Sequence, residues 1–589
     1  MKDPNNFYQH QLKIHQQSVE RLNKQMYVLS MLRLTVFLLT VAGVYFFFEN
    51  LPLAGVIFLV GSTLFGLLLL KYMRIKRKRN LHKALVGINE EELEIGKGKF
   101  HHRDQGIRFN DDFHEYAYDI DLFGKGSFFQ FLNRTRLEEG SETLALLLKA
   151  NDVENIVSKQ QAIQELDKKA EWRQEFAAIA SLIKVEVPAN QILKWLKEHQ
   201  SFVPAMMRWF PTVFALGSIC MLVWSAYDYN HLTFLGYWLM LGLGITGKYL
   251  KKINVLASNS DKVKETFRQY ALLLNKIENE SFSSEMLLAK QQQIQSHQEK
   301  ASAIFRQFSK HLDALDNRNN MIGAIFGNGL FLTDLKNSYK IEKWIHQYHQ
   351  TVAHWFEAVT FFDAYNSLGN FAFNHPGYVY PEIVDNRSCI KAEGLGHPLL
   401  PAQKRIDSDV EINKEQFFIV TGANMAGKST FLRTVSLHIV MANMGLPVCA
   451  KSSQYHPVKL ITSMRTSDSL TDDSSYFFSE LTRLKFIVDA IKEQPYFIIL
   501  DEILKGTNST DKAIGSKKFV EKLVASDATG IIATHDLSLC EIEKDLEPVK
   551  NYYFDAQIIN EELFFDYKLK KGICQNMNAS FLLKKMEIV

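Results

Sequence analysis

Three short stretches in the last third of the chain carry residue types and spacings suited to phosphate chemistry. The first is Gly422-Ala423-Asn424-Met425-Ala426-Gly427-Lys428-Ser429-Thr430, which follows the apolar run Phe417-Phe418-Ile419-Val420 and precedes a helical pattern lasting through Ala442. Strand, glycine loop and helix in that order make a cradle for a triphosphate. The glycines let backbone N–H groups wrap the anion, and the helix N-terminus favours negative charge. Lys428 is placed to reach the β and γ phosphates of ATP, and the Ser429 hydroxyl to ligate Mg2+. The second stretch, Tyr496-Phe497-Ile498-Ile499-Leu500, closes in Asp501-Glu502. Carboxylates at the C-terminal end of a buried parallel strand lie beside such a loop. Asp501 is therefore expected in the magnesium shell, and Glu502 beside the attacking water, to orient or deprotonate it. The third stretch, Gly530-Ile531-Ile532-Ala533, ends in Thr534-His535 and places His535 at the same rim as a sensor of the γ-phosphate. The chemistry expected is ATP hydrolysis with ATP and Mg2+ bound.

These residues, in this order, resemble the ATPase of the DNA mismatch-recognition family MutS. The family's phosphate loop reads close to G-P-N-M-G-G-K-S-T and its acidic pair continues as D-E-I-G-R-G-T. This chain reads G-A-N-M-A-G-K-S-T from Gly422 to Thr430, and Asp501-Glu502-Ile503-Leu504-Lys505-Gly506-Thr507 at the acidic pair. His397-Pro398 and Thr534-His535 also match family positions. Leu122 to Leu166 looks like the start of the family's helical core, and Tyr567 to Ile588 like the close of its ATPase domain.

The resemblance implies a homodimer in which each subunit completes the other's site, with Ser475 as a catalytic residue acting across the interface and Glu480 near it. The residues before that serine, Asp472, Asp473 and Ser474, stand where family members usually carry a Gly and a basic residue. Two carboxylates near a triphosphate are expected to weaken the contact. The resemblance further implies a coupling to double-stranded DNA, as in mismatch repair. The residues before Asn80 are mostly apolar, and the early triplet Phe47-Phe48-Glu49 falls at a bilayer edge, so a divergent member without the mismatch-reading domain is expected.

The elements that must position this chemistry are set by composition and hydropathy. The chain has 589 residues, which suggests three or four units; 47% are hydrophobic, 12% aromatic and 23% charged. A net charge of +3 gives no global basic field for nucleic acid, so DNA binding has no support from charge alone. The five cysteines are scattered without CxxC spacing, which argues against a disulfide framework or a zinc site and fits a reducing compartment. The neighbours His101, His102 and Asp104 cannot face one site on a regular element and are expected on the surface.

Leu51 to Leu70 holds 20 residues without a charge, enough helix for a bilayer core of about 30 Å. Leu34 to Phe48, extended from Met26 if Arg33 snorkels, pairs with it as a hairpin. Trp209 to Tyr227 and Leu232 to Gly247 repeat the pattern around Asp228 to His231. Basic flanks, including Arg21, Lys24, Lys71, Arg74, Arg208 and Lys248, orient both termini toward the cytoplasm. A multi-pass protein of the inner (cytoplasmic) membrane follows, with the bilayer as a partner and the ATPase in the cytoplasm.

The expected fold is an α/β P-loop NTPase of the ABC/MutS type at the C-terminus, with an α-helical MutS-like core and four transmembrane helices in two hairpins. The expected division is an N-terminal cytoplasmic segment at 1–26, the first transmembrane hairpin at 27–70 and the first part of the helical core at 71–202. The second hairpin at 203–247, the second part of the core at 248–373 and the ATPase domain at 374–589 complete it. An ABC-type transporter is the main alternative; no LSGGQ-like segment precedes Asp501, and Ile503 stands where transporters usually have Pro. An ATP-binding membrane scaffold without DNA function is the third reading.

Overall fold

The computed structural model describes residues 3–575 except 184–186, 228–230, 296–298, 317, 319, 424, 466–475, 506 and 560–561. The uncharged runs near the N-terminus lie within two long helices, α1 (Pro4–Phe46) and α2 (Leu51–Gly96). Asn50 starts α2 by accepting the Leu53 N–H at 3.3 Å, and Pro52 in the first turn gives up no hydrogen bond a helix needs. His15 faces His82, Arg33 faces Tyr72 and Thr40 faces Gly61, a descending register that makes the pair antiparallel. The Arg33 guanidinium lies 4.5 Å from the Tyr72 ring centroid, at the cytoplasmic side of the apolar stretch on the expected orientation. The helices continue well beyond the apolar runs, so positions 26/27 and 70/71 fall inside α1 and α2. At 46 residues α2 is about 69 Å long, more than twice a bilayer core. Its last turns dock on the helical body instead.

That body begins with α3 (Phe128–Leu132), α4 (Glu138–Lys149), α5 (Ile156–Lys168), α6 (Ala170–Ser181) and α7 (Ala189–Glu198). The helical periodicity from Gln160 to Leu182 is interrupted at Lys169, whose ammonium bonds Glu280 and the Ser281 carbonyl; the chain turns there between α5 and α6. The second apolar hairpin is α8 (Phe210–Tyr227) and α9 (Leu232–Gly247); the expected turn at Asp228 to Asn230 lies outside the described residues. The body resumes with α10 (Leu250–Glu278), α11 (Glu285–Gln293), α12 (Ala301–Asp316), α13 (Met321–Phe331), α14 (Thr333–Tyr348) and α15 (Val352–Asn374). By length and composition α1, α2 and α8 could each cross a membrane; α9 and α13 are apolar but shorter.

α15 is the axis of the body, buried on nearly every face between Trp355 and Ala372 and packed on α4, α5 and α6. Four of its polar residues form joints to other elements. Asp363 accepts the backbone N–H groups of Arg136 and Leu137 at 3.0 and 2.9 Å, and Ser367 accepts that of Arg134. Asn370 and Asn374 both donate to Glu92 of α2 at 3.0 Å, and Asn374 accepts from the Tyr8 hydroxyl of α1 at 2.7 Å. Arg134 completes this cluster with its own ion pair to Glu92.

The C-terminal part contains β1 (Glu382–Ile383), β2 (Ser388–Leu395), β3 (Ser408–Asn413), β4 (Phe417–Gly422), α16 (Lys428–Asn443), β5 (Ser452–Tyr455) and β6 (Lys459–Ser463). α17 (Tyr476–Ala490), β7 (Tyr496–Asp501), α18 (Ser509–Val524), β8 (Thr529–Ala533), α19 (Ile542–Asp545), β9 (Val549–Ile559) and β10 (Glu562–Lys571) follow. A six-stranded sheet runs β10-β9-β4-β8-β7-β6, parallel except for the β9–β10 edge; a smaller sheet runs β1-β5-β2-β3. The segment before α3 straps this domain to the body. Arg483 of α17 donates to the carbonyls of residues 113–115, and Asp119 accepts from Thr462 of β6 at 2.6 Å and from the Arg465 N–H at 2.9 Å.

Glu92 is 5% exposed and holds Arg134, Asn370 and Asn374 together. Glu92→Ala leaves a buried guanidinium without its counter-charge and is expected to cost about 3–5 kcal/mol, measured as loss of stability in denaturant unfolding of the detergent-solubilised protein.

Candidate functional site

β4 sits at the centre of the large sheet, paired with β8 on one side and β9 on the other, and all six of its residues are buried. A strand so placed cannot bend before its end, so the chain turns sharply at Gly422. Its φ of +147° and the Phe554 carbonyl, which a Cβ would approach to 2.7 Å, leave room for glycine alone. Gly427, with φ +105°, closes the loop as N-cap of α16. Between them Met425 takes φ +67° and is exposed, Ala423 lines the adjoining cavity and Ala426 is buried; Asn424 lies outside the described residues. Ser429 and Thr430 follow in the first turn of α16, at the cavity wall.

Lys428 folds back over the loop. Its Nζ donates to the Gly422 carbonyl at 2.8 Å and to the Ala423 carbonyl at 3.1 Å, and lies 3.3 Å from His535 Nε2. Burial pushes its pKa down, while Glu502 and Asp501 push it back up. Ser429 Oγ donates to Asp501 Oδ2 at 2.8 Å. Asp501 is raised by burial, against the hydrogen bond from Ser429.

Glu502 leaves the end of β7 with φ +49°, its N–H donating to the Ala533 carbonyl of β8 at 2.9 Å. That turn aims the carboxylate at His535, 2.6 Å from Oε1 to Nε2. The hydrogen bond and charge of His535 hold Glu502 down at about 2. A 2.6 Å contact to a carboxylate requires the proton on Nε2, so that nitrogen cannot also accept from Lys428; the ammonium is a neighbour only. A carboxylate with so low a pKa is a weak proton acceptor while this pair is closed.

The loop after Glu502 is held by Glu480 of α17, which is buried and accepts the N–H groups of Leu504 at 2.5 Å and Lys505 at 3.0 Å. Glu480 thus positions the acidic pair of its own chain. Ser475, expected to act across a dimer interface, lies outside the described residues, as do Asp472, Asp473, Ser474 and Gly506.

A cavity of about 500 Å3 opens on the loop. Gly427, Lys428, Ser429, Thr430 and Glu502 line it together with Leu395, His397, Leu400, Ile406, Phe431 and Tyr567. Its volume is that of a nucleotide-sized ligand site. Among the described residues no group of three or more His, Cys, Asp or Glu gathers as a metal cage. Ser429 with Asp501 offers two oxygens side by side, which suits Mg2+, a cation that keeps waters and phosphate oxygens as its remaining ligands. His397, singled out in the sequence by resemblance alone, is held at about 4 by burial and by the nearby Arg433 and Arg405, so it is neutral at physiological pH.

Tyr567 was not legible as a site residue. It takes φ +52° within the irregular register between Phe565 and Leu569 of β10, and a Cβ on Gly427 would lie 3.2 Å from its ring. A break in a strand's pairing leaves no mark in its pattern of residue types.

Residues 418–585 match the family model MutS domain V. Human MutS protein homolog 4 is 33% identical over 223 residues, 36% of this chain and 23% of that protein. The DNA mismatch repair protein MutS of Aquifex pyrophilus is 32% identical over 201 residues, 33% of this chain and 23% of the relative. That of Fusobacterium nucleatum subsp. nucleatum is 32% identical over 204 residues, 33% and 22%. The matched part spans about a quarter of the length of these curated relatives.

Proposed function

From a chain that belongs to the MutS family through its C-terminal domain, we propose a membrane-anchored ATPase that binds Mg-ATP in the cavity beside Lys428 and hydrolyses it as a homodimer. The observation that carries this reading is the convergence of Lys428, the Ser429–Asp501 pair and the His535–Glu502 pair on one cavity at the carboxyl ends of β4, β8 and β7. Ligands of open parallel sheets bind at that edge.

In this reading Lys428 exchanges the carbonyls of Gly422 and Ala423 for the β and γ phosphates. Ser429 and Asp501 would hold Mg2+, which when bound neutralises phosphate charge. The apolar side chains of the lining, with Tyr567 beside the loop, receive the base. His535 donates its Nε2–H to Glu502 in the geometry described; a γ-phosphoryl oxygen within reach competes for that proton. Turning His535 toward the phosphate releases Glu502, whose pKa then rises toward the ordinary carboxylate range, to orient the attacking water and accept its proton. His535 so couples the presence of a γ-phosphate to the activity of the base. Ser475 from the facing subunit adds a hydroxyl at the γ-phosphate, with Asp472 and Asp473 weakening that contact.

The anchoring part of the proposal rests on α1, α2, α8 and α9, whose outward residues are apolar and exposed, and on the basic flanks that keep both termini in the cytoplasm. The protein would then lie in the cytoplasmic membrane with its ATPase inside. Relatives named as DNA mismatch repair proteins make duplex DNA the proposed partner of the helical body.

Three measurements test this reading. Lys428→Ala is expected to abolish binding of a fluorescent ATP analogue, whereas Glu502→Gln retains binding and lowers steady-state turnover by about 10²–10⁴; equal hydrolysis by wild type and the Glu502 variant refutes the assigned base. His535→Ala removes the partner that holds Glu502 near 2, so the acid limb of the kcat/KM profile, which requires the ionised carboxylate, should move to higher pH. An unmoved acid limb would dissociate His535 from Glu502. For the DNA part, the solubilised protein should bind a duplex at low salt with an affinity that falls steeply as salt rises, and no binding at low salt sinks it.

A further inference from the structure

α13 is an apolar helix that neither expected hairpin includes. From Met321 to Phe331 it carries no charged residue, and Met321, Ile322 and Phe326 are 73, 69 and 54% exposed. Its other side is seated on the second hairpin. A Cβ on Gly242 of α9 would come within 2.2 Å of the Gly329 carbonyl, and one on Gly329 within 2.7 Å of Leu239. The two backbones touch because both positions are glycine. Ser218 of α8 donates to the Leu330 carbonyl at 2.5 Å, and Trp238 of α9 donates to Ser218 at 2.8 Å.

The depth of these contacts decides what can cover the exposed side. Gly242 precedes the end of α9 by five residues, about 8 Å of helix, and Ser218 lies eight residues into α8, about 12 Å. If α8 and α9 cross a bilayer, the last turn of α13 lies roughly 10 Å below the level at which they enter it, inside the near half of a hydrocarbon core about 30 Å thick. At about 16 Å long α13 cannot span, so it must enter and return. Such an element is tolerated at membrane depth only if its backbone groups are satisfied by protein. Asn320 accepts the N–H groups of Ile322 and Gly323, the Leu330 carbonyl accepts from Ser218, and Asn328 turns inward to accept from Thr333 Oγ1 and the Asp334 N–H. Beyond the helix, Arg318 pairs with Asp334, gathering the charges where the chain enters and leaves.

We infer that α13 is a re-entrant helix whose exposed face of Met321, Ile322 and Phe326 contacts the acyl chains of the bilayer, making a third element of the membrane anchor. This rests on the reading of α8 and α9 as spanning helices. It also means that the anchor is joined to the helical body through α12 and α14, which flank α13 directly, as well as through α10.

The test uses the full chain in nanodiscs of phosphatidylcholine and phosphatidylglycerol, with a nitroxide on one cysteine at a time. Cys220, exposed on α8, reports the hairpin; Phe326→Cys and, independently, Ile322→Cys in a Cys220→Ala background report α13; Leu146→Cys on α4 reports water. The ratio of oxygen to nickel-chelate collision rates is expected to be several-fold higher at 326, 322 and 220 than at 146. A water-like ratio at 326 and 322 with a lipid-like one at 220 overturns the inference while leaving the hairpin intact. Suppression of both collisions at 326 and 322 also overturns it, since another protein surface then covers the helix. A water-like ratio at 220 overturns the membrane reading itself and this inference with it.

Discussion

The parallel pairing of β4 with β8, and of β8 with β7, is the constraint on which the site depends. Val420 lies opposite Ala533, and Ala533 opposite Asp501, so β8 and β7 finish at one level and β4 two residues past it. Everything that follows those ends meets there: the glycine loop after β4, Thr534-His535 after β8 and Glu502 after β7. A slip of one residue along the β4–β8 ladder would carry Asp501 away from Ser429, and one along the β8–β7 ladder would carry Glu502 away from His535. The buried faces of the strands, in which Phe417 to Val420 and Phe497 to Leu500 are all inaccessible, oppose such slippage on both sides of the sheet.

A second set of contacts links this rigid sheet to the rest of the chain. α2 leaves the proposed bilayer as an unbroken helix, and its Glu92 meets Asn370 and Asn374 at the far end of α15. α15 leads by a short turn into the strands, while Asp119 and Arg483 tie the segment before α3 to β6 and α17. Asp121 reaches α16 itself through Arg433. The helical body thus holds α2 through a buried cluster at Glu92 and α16 through the partly exposed pair of Asp121 with Arg433. Buried polar joints hold their geometry closely, because a charge left without its partner in the interior is costly.

The pair His535–Glu502 gives that scaffold its chemical bias. In the geometry described, Glu502, the proposed base, is held by His535, the proposed sensor of the γ-phosphate, and is thereby kept poorly basic. Lys428 shows the same economy, satisfied by the two carbonyls at the start of the loop. Both side chains have partners they can exchange.

The loop from Gly422 to Thr430, the acidic pair and the terminal histidine could be read from residue types because each needs a short local pattern: an apolar strand, then a turn only certain residues can make, then a charged or hydroxyl group. The long uncharged runs were legible for a similar reason, since length and the absence of charge are themselves the physical requirement for crossing lipid. Position in space was not. Glu480 was marked by resemblance only as a neighbour of Ser475, and its bonds to the backbone of Leu504 and Lys505 needed the fold. Tyr567 reaches the phosphate loop through a break in β10, and Glu92 finds Arg134 and Asn370 across 42 and 278 residues. α13 falls within the span expected only as the second part of the helical core. Only its seat on Gly242 and Ser218, about 8 and 12 Å along the helices of the second hairpin, gives it a depth. Residue types determine which groups can do chemistry and which segments shun water, because those are properties of the side chains themselves. Which groups meet depends on long-range packing, and that the tertiary structure alone decided.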